Sequence, residues 1–230
     1  MMMGKIAMSV KKLGLAALFV LAAGWFSGLA LAAAGADISA DQIVDGIEKR
    51  YVGPGFSADF AQESTVKAMD ITDFGSGRIF VKQPGMMRWE YDKPEKQIII
   101  TDGTTLWIYK PADRQVLIGK SPEFFRGGKG ASFLADVKTL RQRFDISRVQ
   151  PENDLFYELK LVPHTKALDI KDIILTVSRQ TFTIMRVVTF NSYGDETRVE
   201  LLDTKFNQTF DDSLFSFKVP KGVDVLQLNE

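Results

Sequence analysis

The chain contains no cysteine and a single histidine, His164, among 230 residues. Without cysteine there is no disulfide framework, no thiol nucleophile and no thiolate metal site. One histidine excludes a two-histidine zinc motif. Its place beside Pro163 in a turn region suits a solvated or capping side chain better than a ligand or a general base. There is no basic excess either, because 29 basic and 29 acidic residues cancel. That argues against a sequence-independent nucleic-acid binder. A repeat of fixed period, a low-complexity tract and an interdomain linker are also missing.

The familiar catalytic motifs fail on spacing. Ser76 sits between Gly75 and Gly77, whereas a nucleophile elbow needs glycines two residues away on each side, where Phe74 and Arg78 stand. Gly127-Gly128-Lys129-Gly130 lacks the first glycine of a phosphate loop and has Gly130 where a magnesium-binding Ser or Thr is required. The acidic pairs Asp195-Glu196 and Asp211-Asp212 fall at predicted turns, where solvated residues are the default. An enzyme is not expected, nor is any cofactor or metal.

The first 36 residues hold Lys5, Lys11 and Lys12, no acid, an apolar run from Leu13 to about Leu31, and three A-x-A frames ending at Ala36. This is the pattern of a cleaved secretory signal. The competing reading, a membrane anchor, is weakened by Gly14, Gly24, Ser27 and Gly28, which interrupt the run. Cleavage leaves 26 basic and 29 acidic residues, a net −3, and one expected domain over residues 37–230. No cysteine follows the apolar run, so the chain is not itself a lipid-modified lipoprotein.

The mature sequence opens on a capping box, Ser39 to Gln42, before an apolar stripe of Ile43, Val44, Ile47 and Tyr51. Alternating runs follow: Phe56, Ala58 and Phe60; Ile79 and Val81; and Met87, Trp89 and Tyr91. Asp102-Gly103 signals a two-residue hairpin. Residues 70–74 read as a turn. Phe133, Leu134, Val137 and Leu140 predict a second helix over 132–140, after a turn-rich stretch at 121–130. Strands resume from Phe144, with Ile173, Leu175 and Val177 on one face, Met185, Val187 and Thr189 on another, and a last strand near 215–219. About eleven strands with regular turn spacing predict a sandwich or a curled, barrel-like sheet. With 17 Phe, 3 Trp, 5 Tyr and 8 Met, apolar surface is the outstanding feature. A sandwich would bury it between two sheets. A single curled sheet under two short helices would leave a cavity for acyl chains.

Certain segments in order carry a resemblance: Phe60-Ala61-Gln62, Gly77 to Phe80, Lys82-Gln83-Pro84-Gly85, Arg88-Trp89-Glu90-Tyr91, Asp102-Gly103, Leu106-Trp107-Ile108-Tyr109, Gln115-Val116, and an ending through Phe215, Pro220, Gly222 and Val223-Asp224-Val225. Together they resemble the LolA family of periplasmic outer-membrane lipoprotein carrier proteins. The resemblance implies a mainly β fold: an unclosed antiparallel β-barrel of about eleven strands, covered by short helices. It implies a monomeric periplasmic carrier in a Gram-negative cell that shields lipoprotein acyl chains between the inner-membrane LolCDE transporter and the outer-membrane receptor LolB. By position, Met87, Trp89 and Ile99 match cavity-facing residues of the family, and strand alternation adds Phe60 and Tyr91. Phe133, Leu134 and Val137 are candidates for the lid. Gln83 stands where many members have an arginine that helps hold the lid closed. Either Arg88 or another basic residue takes over that role, or the lid is less tightly latched. The alternatives are a related lipid- or glycolipid-binding or envelope-sensing protein, and a β-sandwich interaction module that binds no lipid.

Overall fold

The computed structural model describes residues 38–121, 133–151, 153–165 and 170–228. The expected leader and residues 122–130 of the turn-rich stretch lie outside them.

Helix α1, Ala40–Arg50, forms where the capping box predicts it. The Ser39 hydroxyl accepts from the Gln42 amide at 3.2 Å, and the Ser39 amide donates to Gln42 Oε1 at 2.8 Å. Ile43, Val44 and Ile47 are fully buried, which is the stripe the sequence shows. Tyr51 closes the helix. Its ring stands edge-on to Phe56 and Phe206, with centroids 5.2 and 5.1 Å away, and its hydroxyl accepts from the Ile184 amide at 3.1 Å.

Among the described residues twelve strands follow: β1 Gly55–Val66, β2 Ile71–Lys82, β3 Met86–Lys93, β4 Gln97–Thr101, β5 Thr105–Lys110, β6 Gln115–Lys120, β7 Phe144–Val149, β8 Phe156–Pro163, β9 Asp172–Ser178, β10 Ile184–Phe190, β11 Glu196–Phe206 and β12 Asp224–Gln227. They form one sheet in the order β12-β6-β5-β4-β3-β2-β1-β11-β10-β9-β8-β7. Two runs of sequential hairpins are thus joined through β1, which pairs with both β2 and β11. The sheet ends at β12 and β7, so the barrel is open. Among the described residues a two-sheet sandwich does not form. A single buried cluster gathers Phe60, Ile79, Met87 and Trp89 from one run and Leu159, Leu175, Val187 and Val199 from the other. The sheet therefore curls around one apolar face.

Several expectations need correction. Residues 71–74 are strand rather than turn, because β1 and β2 stay paired out to Val66 and Ile71. Asp102-Gly103 is not a two-residue turn. Thr101 pairs with Leu106, and Asp102 Oδ1 accepts from the Thr104 and Thr105 amides at 2.8 and 2.7 Å. The aspartate side chain thus organises a wider loop. Met185 leaves the core face. The register with β9 shifts between Ile184 and Arg186, so Ile184 and Val187 are the buried pair.

The continuous helix expected over 132–140 is absent among the described residues. Residues 133–135 and Val137–Thr139 are 3-10 turns, and a single α-turn spans Leu140–Arg143. Asp136, at φ −155°, interrupts them. The apolar stripe is still buried, because 3-10 and α spacing place it on nearly the same face.

The strand expected at 215–219 is replaced by a 3-10 turn, Asp212–Phe215, and an extended strap. This strap crosses the outer face. Phe210 stands on Phe80 (5.8 Å), Phe217 lies beside Tyr109 (5.0 Å), and Phe215 is fully buried. The strap delivers β12 to β6, where it pairs in parallel.

Gly77 is the tightest point near the aromatic face. A Cβ there would lie 1.8 Å from the Glu90 carbonyl oxygen, where the β2–β3 register shifts. Gly77→Ala is expected to cost about 1–3 kcal/mol through overpacking, read as a lowered midpoint in thermal denaturation.

Candidate functional site

The inward face of β1 to β4 is built by alternation. Phe60 on β1 lies opposite Gly77, Ile79 on β2 opposite Trp89, and Trp89 opposite Ile99 on β4. Phe60 meets Trp89 edge-on at 4.7 Å and Tyr91 at 4.9 Å, while Trp89 and Tyr91 stack at 6.4 Å. Such pairs add roughly 0.5–1.5 kcal/mol each beyond area burial. The glycines make room: a Cβ on Gly75 would be 3.4 Å from the Tyr91 ring. Met87 is buried beside this group, and Ile99 packs half-buried against it.

The lid candidates close on the same face. Phe133, Leu134 and Val137 belong to the cluster that holds Phe60, Met87 and Trp89, and all three are essentially inaccessible. Beside them α1 contributes Ile43, Val44 and Ile47.

The latch candidates separate. Gln83 lies between the two covers. Its amide donates to the carbonyl of Tyr51, at the end of α1, at 3.2 Å. Two residues on, the Gly85 amide donates to the Ala135 carbonyl at 3.0 Å. The short turn between β2 and β3 therefore touches both α1 and the 133–135 segment. Arg88 points the other way. Its Nη1 donates to the Leu214 carbonyl of the outer strap at 3.2 Å, and its Nε meets Glu90 at 2.6 Å.

A cation that the sequence reading did not single out joins the covers. Arg141 Nη2 bonds Asp45 Oδ1 at 2.5 Å and the Asp41 carbonyl at 2.9 Å, and its Nη1 pairs with Glu48. Asp41, Asp45 and Glu48 recur at i, i+4 and i+7, so α1 presents them as one acidic stripe. That stripe was visible in the sequence. Its partner, nearly a hundred residues away, was not.

Burial sets the ionisation of the site. Desolvation pushes the Tyr91 hydroxyl up to about 12, against an ordinary 10. Tyr51 is raised further by its complete burial. Both therefore stay neutral hydrogen-bonding groups at any physiological pH. A raised folded-state value stabilises fully below pH 10 and is lost as pH climbs from 10 toward 12, since the unfolded chain ionises first. Urea stability is expected to fall across that window. Tyr91→Phe should make the fall shallower without abolishing it, because Tyr51 contributes too.

Comparison with known proteins settles the family. The family model "Outer membrane lipoprotein carrier protein LolA" matches residues 54–218. The chain belongs to the LolA family. An outer-membrane lipoprotein carrier protein of Coxiella burnetii (strain CbuK_Q154) is 36% identical over 157 residues, covering 66% of this chain and 70% of that relative. One from Legionella pneumophila (strain Corby) is 31% identical over 172 residues, covering 74% and 82%. Among solved structures, an uncharacterized conserved protein from Thermus thermophilus aligns with a TM-score of 0.53 at 14% identity, over 82% of this chain and 99% of that one. It shares the fold with this LolA-family chain.

Proposed function

We propose that this LolA-family protein is a periplasmic carrier that holds lipoprotein acyl chains on its inward apolar face and passes them from the inner to the outer membrane. One observation carries the reading. The aromatic face of a curled sheet is covered by two short elements, α1 and residues 133–143, rather than by a second sheet. Such covers can withdraw while the strand ladders stay intact.

The energetics suit exchange. An acyl chain of about sixteen carbons brings roughly 12 kcal/mol of apolar transfer at about 0.8 kcal/mol per CH₂. Re-exposing Phe133, Leu134 and Val137 costs roughly 5–9 kcal/mol. Lipid therefore displaces the 133–143 segment, and the return of that segment helps expel it. The reaction is transfer, without bond making or breaking, so the carrier acts as a chaperone and not as an enzyme.

Residues 1–36 direct export, and the partners are lipoproteins, a LolCDE-type transporter as donor and a LolB-type receptor as acceptor, with the carrier acting as a monomer. Gln83 retains a hydrogen bond to α1, and Arg141 supplies the cationic latch. Exposed pairs are worth up to about 1 kcal/mol each, enough to tune release but not to prevent it. Arg141→Ala weakens the closed, lipid-free state whose return expels the ligand, so it is expected to slow lipid release roughly fivefold, and high salt should do the same to the wild type. Unchanged release in both would remove the latch from the mechanism.

The carrier reading is tested by native mass spectrometry of the protein purified from periplasm without detergent. A bound acylated lipoprotein at one-to-one stoichiometry is the expected result. Phospholipid or glycolipid alone would move the cavity to another job. An apo mass, with no release of lipoprotein from spheroplasts, would overturn the reading.

A further inference from the structure

The inward face is not apolar along its whole length. Phe60, Gln62 and Ser64 alternate onto that face of β1, so the strand changes from aromatic to polar as it runs toward the turn at 67–70. Ser64 lies opposite Thr197 on β11, and Thr197 opposite Thr189 on β10. Their side chains form a connected band. The Tyr91 hydroxyl donates to Gln62 Oε1 at 2.9 Å, Gln62 Nε2 donates to Ser64 Oγ at 3.1 Å, and Ser64 Oγ lies 3.4 Å from Thr197 Oγ1. Tyr91 ties this band directly to the aromatic group, since its ring rests on Phe60.

Polar groups beside a lipid-binding surface are costly unless they are bonded. These four satisfy one another and keep capacity to spare. The Gln62 amide uses one of its two N–H groups in the band, and each hydroxyl oxygen has a further lone pair. All four residues are half-buried, whereas Phe60 and Trp89 next to them are closed off. The opposite end of the face is where α1 ends, where Gln83 bonds Tyr51 and where Ala135 bonds Gly85. The face thus has an apolar closed end and a polar, partly open one.

We infer that the Tyr91–Gln62–Ser64–Thr197 band receives the ester and amide groups at the junction of acyl chains and head group. The hydrocarbon then lies toward Met87 and Phe56, and the polar part of the ligand leaves past Ser64 and Thr197. This rests on the carrier reading and adds a direction to it. Glycerol esters occur in lipoproteins and in free phospholipids, so the shared chemistry is the acylated glycerol.

The test compares three probes on the mature protein: a tripalmitoylated cysteinyl peptide, dipalmitoyl phosphatidylglycerol, and diphenylhexatriene, which has no polar group. Two double variants are used, Tyr91→Phe with Gln62→Met, and Ser64→Ala with Thr197→Val. Each removes hydrogen bonds while keeping bulk. Diphenylhexatriene binding should stay within about twofold, which also reports an intact fold, while lipopeptide affinity should fall by roughly tenfold, the order expected for one or two lost bonds. An equal loss for phosphatidylglycerol assigns the band to the glycerol esters. A loss confined to the lipopeptide assigns it to the acylated cysteine. Unchanged lipopeptide affinity, or parallel loss of dye and lipopeptide, overturns the inference and leaves the carrier reading standing. If the wild type binds neither dye nor lipopeptide, the carrier reading fails and the inference falls with it.

Discussion

The structure depends on how one curled sheet hides its inner face. A sandwich buries such a face permanently, because the second layer is held by its own ladder of backbone hydrogen bonds. Here the cover is α1 and the 133–143 segment, held by apolar packing, the Arg141 ion pairs and a few backbone contacts through the turn at 82–85. Hydrophobic burial is non-directional, so acyl carbon can take the place of protein side chains at little loss. Ladder hydrogen bonds are directional and would not be replaced by lipid. The front is thus held by non-directional packing and the back by directional ladders.

The back is reinforced. On the β2 to β6 side the C-terminal strap lays Phe210, Phe215 and Phe217 over the outer surface, and Lys82 donates to the Phe210 carbonyl. On the β8 to β10 side Glu158, Thr176 and Arg186 form a cross-strand polar ladder. Arg88, read from sequence as a latch candidate, belongs to this outer reinforcement. The two faces of β3 therefore have different duties, with Met87 and Trp89 inside and Arg88 and Glu90 outside.

Much of this was legible in the chain because it depends on short-range rules. The capping box fixes where α1 starts, and period-two alternation fixes which of Phe60, Met87, Trp89 and Tyr91 share a face. The misreadings also have local causes. Met185 failed because a bulge resets alternation, which a single strand does not announce. The Asp102-Gly103 hairpin widened because the aspartate carboxylate bonds two amides of its own loop. The 215–219 strand failed because Phe215 and Phe217 pack on the outside of an existing sheet instead of pairing with it. Alternation alone does not distinguish these outcomes.

The sequence by itself determined most of the strands, the first helix and much of the apolar alternation, because each is set by residues within a few positions of one another. Tertiary structure alone decided that β1 lies between β2 and β11 and that Arg141 meets the acidic stripe of α1. It also decided that Gln62, Ser64 and Thr197 continue the aromatic face as a polar band. The physical reason is separation along the chain. These contacts join residues up to 150 positions apart, and only the folding of the chain brings them together.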